Sequence, residues 1–129
     1  MAQTTVKGRM ILVVDDDPIF CSIMQELLRR QGYQVKLAYS VEEAKEAIRA
    51  QAPDLILTDI MMPVTDGLCL VRTLRQSPGW AAIPTVVVSA RVMEVDRRAA
   101  HEAGADAFLG KPFSFQRLSS TIDSLLPAN

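Results

Sequence analysis

Four short, mainly apolar runs, and one segment at residues 34–39 in which apolar and polar residues alternate, are separated along this chain by segments whose apolar residues recur at three- and four-residue spacing. A short apolar run between turn residues predicts a strand, whereas the three-to-four spacing predicts a helix that buries one face. Strands that alternate with helices form a parallel sheet, because each connecting helix crosses back over one face of the sheet. We therefore predict an α/β fold with five helices and with strands at residues 10–14, 34–39, 55–58, 85–88 and 107–109.

Capping residues and helix breakers indicate where the helices begin and end. Asp17 with Pro18 predicts the start of the first helix, since Asp is a favoured N-cap and Pro suits the first helical position. Gly32 predicts the end of that helix, and Ser40 with Glu43 forms a capping box for the second. The residues that we expect to face the sheet are Phe20, Ile23, Met24, Leu27 and Leu28 in the first helix, Val41, Ala44 and Ile48 in the second, Leu70, Val71 and Leu74 in the third, Val95, Ala99 and Ala103 in the fourth, and Phe115, Leu118, Ile122 and Leu125 in the fifth.

Charged residues follow three of the predicted strands. Asp15 and Asp16 follow the first strand, Asp59 follows the third, and Lys111 comes shortly after the fifth. The common order of a five-stranded sheet, 2-1-3-4-5, places the first and third strands side by side at the crevice where ligands bind. Three acids and one lysine would then converge, and like charges gather only where something neutralises them. A divalent cation and a phosphoryl group are the natural candidates.

The size and composition are those of one globular domain. The chain has 129 residues, of which 49% are hydrophobic and 22% are charged. A chain of this length buries about two-thirds of its unfolded surface and needs no disulfide or metal in order to fold. We expect a polar tail at residues 1–9, the domain at 10–126 and a short C-terminal end at 127–129.

The charge and the cysteines narrow the classes of partner and compartment. The net charge of −1 argues against direct nucleic-acid binding, which usually requires a basic excess. Cys21 and Cys69 fall in helical patterns and indicate neither a disulfide nor a metal site. No apolar run resembles a signal peptide or a membrane span, so we expect a cytoplasmic protein without a membrane partner. Five scattered arginines are interpreted as solvated surface residues: Arg72, Arg75, Arg91, Arg97 and Arg98.

Four short pieces of sequence stand at the ends of predicted strands. They are Val14-Asp15-Asp16, Thr58-Asp59-Ile60-Met61-Met62-Pro63 with Asp66-Gly67, Val88-Ser89-Ala90 and Gly110-Lys111-Pro112-Phe113. In this order they resemble the receiver domain of bacterial two-component response regulators, including its chemotaxis-type single-domain form. The resemblance covers residues 10 to 126 and implies a flavodoxin-like three-layer sandwich, with strand order 2-1-3-4-5, that acts as a phosphorylation-controlled signalling module.

The resemblance implies a phosphoacceptor and a metal site among the acids. Asp59 is similar to the residue that takes a phosphoryl group, in a two-component system or phosphorelay, from a histidine kinase or a histidine phosphotransfer protein. Asp16 and Asp59 resemble direct ligands of Mg²⁺, with the backbone carbonyl of Met61 as a third, and Asp15 resembles the acid that acts through bound water. Mg²⁺ suits such a set, because it prefers oxygen ligands and combines one or two carboxylates with phosphate oxygens.

The resemblance also implies a switch that responds to the phosphoryl group. Lys111 is expected to pair with the phosphoryl oxygens, and Ser89 to turn its hydroxyl toward them. Phe108 stands at the aromatic switch position of the family, without the hydroxyl of a tyrosine. A cis Lys111–Pro112 bond is a further implication. The implied partner of the switched surface is a downstream protein or an output domain. A homodimer that forms on phosphorylation is a further possible partner.

The implied activity is that of a phosphoacceptor which assists its own phosphorylation and dephosphorylation, rather than that of a true enzyme. One alternative is a phosphatase of the haloacid dehalogenase type, since Asp15 and Asp17 satisfy its Asp-x-Asp motif. Pro18 stands where those enzymes usually have Thr or Val, however, and no later Gly-Asp-x-x-x-Asp motif appears. The other alternative is a receiver-like scaffold that binds partners without phosphorylation. His101, the only histidine, is interpreted as a surface residue rather than a catalytic base.

Overall fold

The computed structural model describes residues 8–60 and 67–126 of the chain, and strands and helices alternate throughout these residues. The strands are β1 (Met10–Val14), β2 (Gln34–Ala38), β3 (Leu55–Asp59), β4 (Thr85–Ser89) and β5 (Ala107–Gly110). The helices are α1 (Pro18–Arg30), α2 (Val41–Ala50), α3 (Gly67–Gln76), α4 (Glu94–Ala103) and α5 (Phe115–Leu125). Each predicted strand is present, and its ends differ from the prediction by no more than one residue. The five predicted helices are also present, and α1 and α2 begin directly after their predicted caps.

The five strands form one parallel sheet in the order β2-β1-β3-β4-β5, which confirms the predicted fold. In the sheet register Val14 lies beside Thr58, and Asp59 lies beside Val88. Ser89 in turn lies beside Gly110. Because all strands run the same way, the residues that follow β1, β3, β4 and β5 leave the sheet at the same edge.

Helices cover both faces of the sheet. On one face α1 and α5 pack against alternate residues of β1, β3 and β4, and on the other face α2, α3 and α4 do so. The buried helix residues of the first face are Cys21, Met24, Leu28, Leu118 and Ile122. Those of the second face are Val41, Ala44, Ile48, Leu70, Val71, Leu74, Ala100 and Ala103. Every residue of β1, β3 and β4 is buried, as expected for central strands of a parallel sheet.

Three apolar residues that were expected to face the sheet are exposed instead. Val95 and Phe115 lie in the first turns of α4 and α5 and are 65% and 39% exposed. On α4 the buried stripe runs through Ala100 and Ala103, so Val95 falls outside it. Ile23 is 54% exposed, because Cys21, Met24 and Leu28 form the buried stripe of α1. Sequence spacing alone did not determine how these helices are rotated about their axes.

The capping predictions are confirmed in their main features. Asp17 accepts a hydrogen bond from the backbone N–H of Ile19 at 2.9 Å, with Pro18 at the first helical position. Ser40 accepts from the N–H of Glu43 at 3.1 Å, which begins α2. The Glu43 carboxylate reaches back to the N–H of residue 39 at 2.8 Å, one residue before the helix cap. These bonds satisfy N–H groups that have no partner within a helix.

Arg75 was interpreted as a solvated residue, and the structure corrects this interpretation. Its guanidinium donates hydrogen bonds to the carbonyl oxygens of Gly104 at 2.8 Å, Ile83 at 3.0 Å and Ala81 at 3.3 Å. It also pairs with Asp106 at 2.7 Å, and its side chain is only 22% exposed. Arg75 therefore ties the end of α3 to the loops that enter β4 and β5.

Within residues 8–60 and 67–126, no helix is both long and apolar enough to cross a membrane. The predicted tail and C-terminal end lie almost wholly outside the described residues.

Candidate functional site

Three carboxylates meet at the edge of the sheet where β1 and β3 end. Asp15, Asp16 and Asp59 each place a carboxylate oxygen within 4.8 Å of the others. Asp15 and Asp59 are buried, whereas Asp16 is exposed to solvent. Burial in a medium of low polarity strengthens the repulsion between such charges, so this arrangement needs a cation close by.

Lys111 supplies one positive charge to the acids. Its ammonium donates a hydrogen bond to Asp15 Oδ2 at 2.8 Å and lies 3.4 Å from Asp59 Oδ2. Burial disfavours the charged ammonium, but the hydrogen bond to Asp15 and the charge of Asp59 outweigh this effect and raise the pKa of Lys111. One lysine and three acids leave two negative charges, which a divalent cation would neutralise. The residues therefore fit a magnesium ion.

The oxygens of the three acids are not equally available. Both oxygens of Asp15 are engaged, because Oδ2 accepts from Lys111 and Oδ1 accepts from the N–H of Asp17 at 2.9 Å. Asp17 uses its own carboxylate to cap α1, so it does not add a fourth acid to the cluster. This cap also argues against the phosphatase reading, in which the second acid of the Asp-x-Asp motif would serve the chemistry.

Two aromatic rings lie behind the lysine. The ammonium of Lys111 is 4.1 Å from the centre of the Phe20 ring, within the range of a cation–π interaction. Phe20 meets Phe113 in an edge-to-face contact, with 6.3 Å between ring centres and an interplanar angle of 89°. We predicted Phe20 as an inward residue of α1 and, with Ile19, as a possible contact for a kinase beside the acids, but not as a neighbour of Lys111. Since Phe20 and Lys111 are far apart in the sequence, no local pattern indicates this contact.

Cys21 lies next to the site, but its environment disfavours the reactive thiolate. Its thiol is fully buried and lies 3.3 Å from the backbone carbonyl oxygen of Asp15, to which it donates. Burial, together with the charges of Asp15 and Asp17, raises the pKa of Cys21 to about 11. The thiolate is the reactive form of cysteine, so this residue acts as a small apolar side chain.

Ser89 ends β4 at the same edge of the sheet. Its side chain is fully buried, and its hydroxyl oxygen accepts a hydrogen bond from the N–H of Arg91 at 3.0 Å. Its backbone carbonyl accepts from the N–H of Lys111 at 2.7 Å. The Lys111–Pro112 peptide bond is cis, as the resemblance implied.

Phe108 lies farther from the acids, on the outer strand β5. Its ring is partly buried, and the Arg97 guanidinium carbon sits 4.8 Å from the ring centre. Arg97 also donates to the carbonyl of Val92 at 3.3 Å, in the loop before α4. His101 is exposed on α4, as predicted.

The structure thus brings together four of the predicted site residues, Asp15, Asp16, Asp59 and Lys111, and places Ser89 at the same edge of the sheet. Phe108 stands apart from them. Met61 lies outside the described residues, as do the Met62, Pro63 and Asp66 of the sequence motif.

Comparisons with known proteins identify relatives along almost the whole chain. A family model described as the response regulator receiver domain matches residues 11–123. Over 122 residues the chain is 35% identical to the transcriptional regulatory protein GltR of Pseudomonas aeruginosa, covering 95% of this chain and 50% of that protein. The chain spans about half the length of GltR and of BaeR, a transcriptional regulatory protein of Escherichia coli.

Solved structures share the fold and one of them holds a metal. The chemotaxis protein CheY4 of Vibrio cholerae superimposes with a TM-score of 0.87 and 25% identity, covering 92% of this chain and 98% of that chain. The receiver domain of a sensor histidine kinase from Pseudomonas aeruginosa gives a TM-score of 0.85 and 29% identity, over 94% of this chain and 99% of that one. That structure has a magnesium ion coordinated in its active-site cleft.

Proposed function

Because the chain belongs to the receiver domain family of two-component response regulators, we propose that it accepts its phosphoryl group on Asp59. Asp59 ends the central strand β3, is only 7% exposed and lies 3.4 Å from the ammonium of Lys111. Its place between two further acids and this lysine is the observation that carries the proposal. The other two acids differ from it, since Asp16 is exposed and both oxygens of Asp15 accept hydrogen bonds, one from Lys111 and one from the N–H of Asp17.

The proposed step transfers a phosphoryl group from a phosphohistidine of a partner protein. An Asp59 oxygen forms a bond to phosphorus while the bond from phosphorus to the histidine nitrogen breaks, and the product is an acyl phosphate. A carboxylate that is already ionised is a competent nucleophile and needs no general base. Phosphoryl transfer depends mainly on position and on charge stabilisation, both of which Lys111 provides at this strand end.

Asp15, Asp16 and Asp59 are the residues that would hold Mg²⁺ in this chain, together with the backbone carbonyl of Met61. Bound there, the ion would neutralise the negative charge that develops on the phosphoryl oxygens. The cluster of carboxylates supports this assignment, because hard oxygen ligands are those that Mg²⁺ prefers.

Ser89 and Lys111 are proposed to respond to the new charge. Phosphorylation adds negative charge and strong hydrogen-bond acceptors at the end of β3. The Ser89 hydroxyl accepts from Arg91 but still carries its own proton, which it can donate to a phosphoryl oxygen. A shift of Ser89 would move the loop before α4. Arg97 donates to the carbonyl of Val92 in this loop and packs over the ring of Phe108, so the movement could reach Phe108.

The proposed partners follow from the same assignment. The phosphoryl donor is a histidine kinase or a histidine phosphotransfer protein, which must bring its histidine to the edge of the sheet. Ile19 and Ile23 on α1 are 71% and 54% exposed beside this edge and suit such a contact. Met93 and Val95 are 71% and 65% exposed near the start of α4, where a downstream protein or an output domain would bind. We propose the cytoplasm as the compartment and direct contact with neither DNA nor membrane.

Intact mass spectrometry after incubation with acetyl phosphate and Mg²⁺ tests the assignment. The wild-type chain should gain the mass of one phosphoryl group, and Asp59→Asn should gain none. Asp54→Asn is the matched control, because Asp54 adjoins the opposite end of the same strand, where its carboxylate accepts a hydrogen bond from the N–H of Met10 at 2.7 Å. The proposal fails if the wild-type chain gains no mass, or if Asp59→Asn is phosphorylated as fully as Asp54→Asn.

A further inference from the structure

The Phe20 ring and the ammonium of Lys111 form a contact that the proposed transfer does not itself require. The ammonium has acids on one side, with Asp15 Oδ2 at 2.8 Å, and the ring on another, with its centre at 4.1 Å. The face of an aromatic ring carries partial negative charge and attracts a cation, so the ring and the acids act on the same ammonium.

The surroundings hold the ring in place. Phe20 belongs to α1 and packs partly against the buried core of that face of the sheet. Phe113, which follows Lys111 by two residues in the segment after β5, contacts the Phe20 ring edge to face and helps to hold it in place. The lysine is thus held between two elements whose relative position is set by packing.

The contact between Phe20 and Lys111 lies at the edge of an open groove. A cavity of about 460 Å³ lies between α1 and the segment after β5, and it is lined by Phe20, Ile23, Met24, Leu27, Ala90, Lys111, Pro112 and Phe113. All of these side chains except that of Lys111 are apolar, and the thioether sulfur of Met24 is only a weak acceptor. Among the described residues, the lining side chains of the groove therefore offer the ammonium no strong hydrogen-bond acceptor. The side chain of Lys111 is 23% exposed. Without the ring, water would reach the ammonium and the four-carbon stem would gain freedom.

We propose that Phe20 is a positioning residue for Lys111, which holds the ammonium over the acids through the face of its ring. This inference rests on the proposed function, because Lys111 matters there as the partner of the phosphoryl oxygens. A cation–π contact at a partly exposed site changes an equilibrium about two- to fivefold. An effect of this size on phosphoryl transfer is the quantity to measure.

The test compares rates of phosphorylation at saturating Mg²⁺ over a range of acetyl phosphate concentrations. Phe20→Leu keeps the apolar bulk but loses the ring, and we expect its ratio of maximal rate to half-saturating concentration to fall about two- to fivefold. Phe20→Tyr keeps the ring and should retain the wild-type ratio. Leu27→Ala is the matched control, since Leu27 lines the same groove but offers no ring, and it should leave the ratio unchanged.

A series of phenylalanines with one to five ring fluorines at position 20 separates the charge of the ring from its shape. Fluorine withdraws the negative charge from the ring face while the size changes little, so the ratio should fall stepwise along the series. A flat series, or an equal loss in Phe20→Tyr and Phe20→Leu, would overturn the inference and leave Phe20 as a packing residue. If Phe20→Leu fails to fold, the fluorinated series decides alone. Failure of the wild-type chain to be phosphorylated would instead overturn the proposed function, so the two failures are distinguishable.

Discussion

Replacing Lys111 by Met should destabilise the protein through the acids that it leaves behind. Removal of one partner from a buried ion pair typically costs about 3–5 kcal/mol, because the remaining charge is uncompensated. Here the Asp15 and Asp59 side chains are 1% and 9% exposed, but the Lys111 side chain is 23% exposed, so water reduces the cost. We expect a loss of about 2–3 kcal/mol in the free energy of unfolding, measured by urea denaturation at neutral pH in EDTA.

Magnesium should reverse part of this loss. The variant carries one more unneutralised negative charge at the site, so Mg²⁺ should bind to it more tightly than to the wild-type chain. A ligand that binds only the folded state stabilises it by RT ln(1 + L/Kd), where L is the concentration of free ligand, so tighter binding gives a larger stabilisation at the same concentration of free ligand. We therefore expect the difference between Lys111→Met and wild type to shrink below about 1 kcal/mol in saturating Mg²⁺.

Lys45→Met is the matched control for this experiment. The Lys45 side chain is 22% exposed, almost the same fraction as that of Lys111, but its partner Glu42 is 81% exposed at 3.8 Å. Exposed pairs contribute about 0–1 kcal/mol, so this variant should lose little and should not respond to Mg²⁺. The reasoning would be refuted if the two variants lost equal free energies of unfolding, or if the loss in Lys111→Met were the same in EDTA and in Mg²⁺. Either result would show that repulsion between the acids does not destabilise the folded protein.

Four further predictions concern other contacts in the molecule. Arg75→Met should lower the free energy of unfolding by about 2–4 kcal/mol in urea denaturation, because it removes charged hydrogen bonds to several carbonyls. Asp106→Asn should lower it by less, because it changes only one of the partners of Arg75, and equal losses in the two variants would contradict this. Cys21 should resist a thiol reagent at pH 8 that labels Cys69, since a pKa of about 11 leaves about one thiol in a thousand ionised, and equal labelling of the folded protein would refute this. The raised pKa of Cys21 also makes stability depend on pH: the stabilisation of the folded state is complete below pH 9 and should be lost as the pH rises from 9 through about 11. Urea denaturation of the wild type and of Cys21→Ala over this pH range will measure the loss. Asp17→Ala should cost about 1 kcal/mol through loss of the helix cap, and a circular dichroism melt indistinguishable from that of wild type would contradict it.

Strand positions and helix caps were predicted well because local chemistry governs them. Residues 86 to 88 are three consecutive valines, and they form the middle of a strand that is buried on both faces. Asp17 with Pro18 marks the start of α1 within a few residues of sequence. The rotation of each helix was predicted less well. Val95 and Phe115 lie in first turns, where the position of the helix end relative to the sheet decides whether a side chain is covered.

The cluster of acids was predictable because it follows from topology. A parallel sheet brings the ends of β1 and β3 to one edge, so Asp15 and Asp59 meet there whatever the details of packing. Arg75 was misjudged for the opposite reason, since three of its acceptors are backbone carbonyls, which no side-chain pattern indicates, and the fourth, Asp106, is 31 residues away in the sequence.

The sequence by itself determined the order of strands and helices, the parallel sheet and the residues that its edge gathers. These features depend on hydrophobic spacing, on caps and on the short-range stereochemistry of the chain. Only the tertiary structure decided that Lys111 lies between Asp15 and the ring of Phe20. That contact depends on how α1 docks against the segment after β5. The docking is set by the packing of side chains from distant parts of the chain, which no local pattern records.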